Sequence, residues 1–130
     1  MVPLHPAPSP SSSLVLAAAD PAALAVFYGA LVDSEPQAGL SGSHWRLPLP
    51  AGGLLELYAP SRRRPPLAPG GRLALCLCRQ GDGAALEAWI AAACARGARL
   101  QEGPRQEPFG WEAWLQDPEG NPLLLLVTPA

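Results

Sequence analysis

Few side chains in this sequence can carry proton-transfer or ligand chemistry, and the most isolated is Glu56, a single carboxylate inside the apolar run Leu54–Tyr58. A carboxylate without a partner in apolar surroundings is pushed toward its neutral form, which suits a general base. Arg72, which opens a leucine-rich segment further along, is its natural counterweight. Paired with Arg72, Glu56 stays ionised and is a poorer base; alone, Arg72 would anchor an anionic ligand. Trp45, Trp111 and Trp114 lie on segments expected to border the same pocket and offer surfaces on which a planar ligand would stack. Core packing and subunit contact are the commoner uses of such rings. His44, beside Trp45, is a lone imidazole near a strand start. The sequence holds no Ser-His-Asp arrangement, Cys-His pairing or glycine-rich phosphate loop, so nucleophilic and nucleotide chemistry have nothing to rest on.

Composition narrows the partners. Nine arginines and no lysine stand against eleven acidic residues, a formal net charge of -2 that leaves no electrostatic footprint for nucleic acid. The run Arg62 to Arg64 is short, lacks interleaved aromatics and reads as a solvated loop. Hydrophobic residues make up 48% of the 130 and charged residues 15%, as expected of one compact domain that buries a core without covalent staples. No apolar run approaches the roughly 18 residues of a membrane helix, and Met1 to Ser13 lacks the pattern of a secretory signal. An odd count of three cysteines then points to free thiols in the cytoplasm. The spacing of Cys76, Cys78 and Cys94 matches no zinc template and is read as small buried hydrophobes.

The elements that position these residues form a unit used twice. Ser13 to Ala17 is a short strand that stops at Asp20-Pro21, a helix cap followed by proline at the first helical position. Leu24, Phe27, Tyr28 and Leu31 follow at helical spacing. A hairpin comes next, His44 to Leu49 and Leu54 to Tyr58 around a Pro-Ala-Gly-Gly turn. After a linker rich in Pro, Arg and Gly the order returns: strand Arg72 to Cys78, cap Asp82, helix Ala84 to Arg96 closed by Gly97, then strands on either side of Asp117 to Asn121. The expected boundaries are a disordered Pro/Ser tail over 1–12, a first module over about 13–60, a linker over about 60–71 and a second module over about 72–130. Alternation places Ser13, Val15, Glu56, Tyr58, Arg72, Cys76 and Leu124 on the strand faces turned away from the helices, around a cleft.

The helix segment Asp20–Val32 and the closing Phe109–Val127, with its Asp-Pro-Glu-Gly-Asn turn, resemble the vicinal oxygen chelate superfamily over about residues 13–130. Glyoxalase I, bleomycin-resistance proteins and extradiol dioxygenases belong to it. The resemblance implies an α+β fold of two βαβββ modules forming a curved mixed sheet around a cleft. It also implies four strand positions that converge on a divalent ion in metal-dependent members, and these fall on Ser13, Glu56, Arg72 and Leu124. Only Glu56 keeps a ligand type, and neither leucine nor a protonated guanidinium binds such an ion. The leading expectation is a protein without metal or other cofactor. It would bind a small, partly apolar ligand through Glu56, Arg72, Trp45, Trp111, Trp114, Tyr58 and Cys76. Glu56 is the candidate catalytic group and is expected to pair with Arg72. A metal-dependent lyase or dioxygenase, and a dimeric accessory protein without ligand, are the alternatives. The resemblance further implies a homodimer.

Overall fold

A computed structural model describes residues 12–62 and 73–129. The Pro/Ser tail and most of the linker, with Arg63, Arg64 and Arg72, lie outside the described residues. The first half runs β1 (Leu14–Ala17), α1 (Pro21–Val32), β2 (Gln37–Ala38), β3 (His44–Pro48) and β4 (Leu54–Tyr58). The second repeats it as β5 (Leu75–Gln80), α2 (Gly83–Ala95), β6 (Arg99–Glu107), β7 (Gly110–Gln116) and β8 (Pro122–Thr128).

Local chemistry explains where the helices begin and end. The Asp20 carboxylate accepts the Ala23 N–H at 3.1 Å and the Asp82 carboxylate accepts the Ala85 N–H at 2.9 Å, so each helix has a capped N-terminus. α1 closes on Asp33 in the left-handed conformation; beyond α2, Gly97 at φ 106° returns its N–H to the Cys94 carbonyl.

Each half forms a four-stranded mixed sheet, ordered β1-β4-β3-β2 and β5-β8-β7-β6. The outer pair of each sheet, β1 with β4 and β5 with β8, is parallel, and the remaining pairs are antiparallel. One face of each sheet is covered. Leu47, Leu55 and Leu57 lie with Leu24 and Phe27 of α1 in the core, and Leu115, Leu123 and Leu125 with Leu86 and Ala93 of α2. This is the α+β architecture of two βαβββ modules, with the eight strands divided between two sheets.

Side chains of the two halves tie the modules together. The buried Tyr28 hydroxyl of α1 donates to Asp117 Oδ2 in the β7–β8 turn. The Glu119 carboxylate of the same turn accepts the Ala19 and Asp20 N–H groups at 2.7 and 3.1 Å. At the other end of α1 the Leu31 carbonyl accepts from Trp89 Nε1 at 3.2 Å and Arg79 Nη2 at 3.0 Å. The Arg79 guanidinium also stacks 4.5 Å from the Trp89 ring and reaches Asp33 at 2.9 Å. The Asp-Pro-Glu-Gly-Asn turn is therefore a clamp between modules.

Some expectations need correction. The residues did not locate β2 and β6, the third strands that two βαβββ modules require: β2 has two residues, and β6 is an exposed edge strand interrupted by Gly103-Pro104 and register shifts, without apolar alternation. β5 starts at Leu75 rather than Arg72 and continues to Gln80. The cysteines are not buried; Cys76, Cys78 and Cys94 are all exposed.

Candidate functional site

Strand register fixes which side chains share the uncovered face. Val15 pairs with Glu56 and Ala17 with Tyr58 in parallel, while Arg46 and His44 of β3 stand opposite Glu56 and Tyr58. These side chains all point away from α1, because the intervening Leu55, Leu57 and Leu47 point into the core. The hairpin thus carries two basic groups to the carboxylate of β4.

Glu56 is held on three sides. The Ser13 hydroxyl, one residue ahead of β1, donates to Oε2 at 2.5 Å. His44 Nε2 lies 3.2 Å and Arg46 Nε 3.6 Å from Oε1. His44 is almost completely buried, and its Nδ1 accepts the Leu40 N–H at 2.8 Å. With Nδ1 an acceptor, the neutral ring carries its hydrogen on Nε2 and donates it to Glu56. Backbone closeness at Gly39 makes this possible: a Cβ there would lie 2.3 Å from His44 Nδ1. The Ser13 hydrogen bond holds the Glu56 carboxyl below its ordinary range, with partial burial opposing and Arg46 and His44 assisting. Glu56 is an ionised acceptor, not the proton-ready base expected of a lone carboxylate.

The second module presents different chemistry at equivalent positions. Cys76 pairs with Leu124 as Val15 pairs with Glu56, and Trp114 stands opposite Leu124 as Arg46 stands opposite Glu56. Two residues before Val15 is Ser13, and two before Cys76 is Ala74. The internal symmetry therefore assigns the third convergent position to Ala74, whereas the sequence reading gave it to Arg72. Glu112 takes the place of His44, opposite Leu126, and receives Arg105 Nη2 at 2.9 Å. The Cys76 thiol pKa is raised, by burial first and then by Cys78 and Glu112.

The expected site residues separate as follows. Glu56, Tyr58, Trp114 and Cys76 occupy the uncovered faces. Trp45 and Trp111 do not: Trp45 stands opposite Leu57, Trp111 opposite Val127, and both pack against the core. Alternation along their strands turns them toward the helices. Arg72 lies outside the described residues, and with it the expected Arg72–Glu56 pair. The partners that Glu56 does have, Ser13, His44 and Arg46, include one that sequence reasoning missed altogether. Arg46 carried a signal all the same, since hairpin alternation with Leu47 inward turns it outward.

A divalent ion does not fit this donor set. Of the four positions at which the resemblance implies metal ligands, with Ala74 standing at the third by register, Ser13 is committed to Glu56, Glu56 to three donors, and Leu124 and Ala74 offer no lone pair. Among the described residues no group of three or more His, Cys, Asp or Glu side chains is placed to hold a metal.

Paired βαβββ modules, each with one sheet face uncovered, define the vicinal oxygen chelate class. Residues 13–126 match the model of the glyoxalase-like domain family, and the chain belongs to that family. No curated protein matches the sequence. Among solved structures, a glyoxalase/bleomycin resistance protein/dioxygenase family enzyme from Burkholderia phytofirmans PsJN is similar, with TM-score 0.72 and 19% identity over 88% of this chain and 94% of that one. A glyoxalase/bleomycin resistance protein from Albidiferax ferrireducens T118 has TM-score 0.70 and 24% identity, covering 91% of this chain and 98% of that one. TnmS3, an antibiotic binding protein from Streptomyces sp. CB03234, has TM-score 0.64 and 26% identity over 95% and 99% of the two chains.

Proposed function

We propose that this chain is a metal-independent binding member of its family. Its ligand is a small, partly apolar molecule bearing an anionic group, taken up on the uncovered faces, and the binding unit is a cytoplasmic homodimer. The observation that carries the reading is the state of Glu56. Its oxygens are engaged by Ser13, His44 and Arg46, which leaves the half-exposed Arg46 guanidinium as the group with hydrogen-bonding capacity to spare. A carboxylate or similar anion matches a guanidinium edge, with Glu56 fixing its orientation from behind. Trp114, Leu124, Tyr58 and Cys76 supply apolar contact for the rest of the ligand. Antibiotic binding by TnmS3 supports a binding role on this fold.

A thermal-shift screen of aromatic and aliphatic carboxylates tests the reading. Hits should raise the melting temperature of the native chain, and Arg46→Met should abolish the rise while Arg62→Met leaves it intact. Stoichiometric, Glu56-dependent binding of nickel, zinc or manganese in calorimetry would contradict it.

A further inference from the structure

Cys76 and Cys78 lie outside the buried core and take no part in the Glu56 cluster, yet they are placed together. They pair with Leu124 and Leu126 in one parallel register, so both thiols leave β5 on the same face. Both are exposed, and both line one groove with Val32, Leu49, Arg79 and Trp89. We propose that Cys76 and Cys78 form a two-thiol site for a soft, two-coordinate d10 metal ion, with Cu(I) as its type.

Geometry selects the ligand. Residues two apart on a strand are separated by roughly 6.6 Å, and their Cβ atoms, pointing the same way, keep about that separation. A disulfide requires Cβ atoms about 3.5–4.5 Å apart, so a direct sulfur–sulfur bond is out of reach without moving the strand. A single bridging atom is different: two metal–sulfur bonds of about 2.3 Å each span up to ~4.6 Å, a gap that two thiols leaning toward each other close by rotamer choice alone. Zinc calls for four donors in a structural site, and the described residues offer no cluster of three. Soft thiolate ligands favour Cu(I), for which two are enough.

The surroundings fit an anionic bis-thiolate. A monovalent ion on two thiolates leaves one negative charge, which solvent on the exposed face screens; the Arg79 guanidinium turns to the opposite face, onto Trp89, Asp33 and the Leu31 carbonyl. Burial first, then Cys78 and Glu112, raises the Cys76 thiol pKa, and Glu112 is itself paired with Arg105 at 2.9 Å. On binding, two S–H bonds break, two Cu–S bonds form, and two protons pass to the buffer with no change of oxidation state.

The test is an anaerobic titration of the full chain with Cu(I) against a chromophoric Cu(I) chelator. The expected result is one ion per chain, two protons released per ion, and two sulfur neighbours by copper-edge X-ray absorption. Cys76→Ser and Cys78→Ser should each weaken binding at least a hundredfold, whereas Cys94→Ser, on the exposed side of α2, should not change it. A sulfur count other than two, binding that survives either single substitution, or equal sensitivity to Cys94→Ser would overturn the proposal. The sulfur count of the native chain decides the matter even if a variant folds poorly, and a light-scattering mass unchanged by copper excludes a bridge between chains.

Discussion

The Tyr28 hydroxyl and Asp117 Oδ2 lie 2.7 Å apart, 89 positions apart in sequence and inside the protein, with both residues 1% exposed. Asp117 also accepts the Glu119 and Asn121 N–H groups and the Asn121 side-chain amide, so its charge is met by donors on every side. A helix of the first module and a turn of the second are thereby fixed to each other. The turn motif is a structural device.

Tyr28→Phe should cost about 1–3 kcal/mol, because Asp117 keeps its burial and loses a donor. Urea unfolding should show a lower midpoint at unchanged slope. Burial, and then the charge and hydrogen bond of Asp117, raise the Tyr28 pKa above its ordinary value of 10.0. The sign follows: this contribution is complete below about pH 10 and is lost as pH rises beyond it. The native protein should accordingly lose stability in alkali more steeply than the Tyr28→Phe variant.

Much of this architecture was legible in the sequence because its signals are local. Asp20-Pro21, Asp82 and Gly97 are capping chemistry, and Leu55 and Leu57 alternate with Glu56 as a half-covered strand must, whereas the run Leu123–Val127 is apolar on both faces and reads as a strand only by its length and its preceding turn. β6 was hidden because an exposed edge strand of Arg, Gln, Glu, Gly and Pro has no apolar alternation to read. Trp45 and Trp111 were assigned to the site by residue type, although the parity that placed Glu56 correctly also turns them inward. The burial of Asp117 had no local signal, since its partner is far away in the chain. The Glu56 cluster lay between these cases: strand pairing was needed to bring Ser13, 43 residues away, to the carboxylate.

The assembly is open to a direct measurement. β1 and β5 each lie at a sheet edge, and Leu14, Val15 and Leu73 beside them are 40%, 64% and 79% exposed. Strand edges that no other described strand pairs, flanked by apolar side chains, invite a second copy. We expect a light-scattering mass of twice the 13.5 kDa chain at tens of micromolar, and a mass of one chain would remove the dimer from the proposal.

Catalysis of the glyoxalase I type should be undetectable. That isomerisation depends on a metal to polarise the substrate oxygens, and leucine and alanine stand at two of the four convergent positions. Assays of a glutathione hemithioacetal with added nickel or zinc should give the uncatalysed rate. A rate that EDTA abolishes and either metal restores would refute the metal-independent reading.

The state of Glu56 gives the most specific prediction. Its lowered pKa means that the stability it contributes is present above the ordinary carboxylate value of 4.5 and is lost as pH falls below it. The Ser13 hydroxyl is the largest cause, so Ser13→Ala should raise the Glu56 pKa, read by carboxyl-carbon NMR, without disturbing the core. Gly39→Ala acts from the other side. The new methyl would overlap the His44 ring, the imidazole would have to leave its place between the Leu40 N–H and Glu56, and the pKa should rise by a second route. Because both changes remove donors from one carboxylate, their effects should couple rather than simply add, and the double variant measures that coupling. A Glu56 titration unmoved by both substitutions would mean that neither donor reaches the carboxylate in solution, and the binding geometry proposed for Arg46 would fall with it.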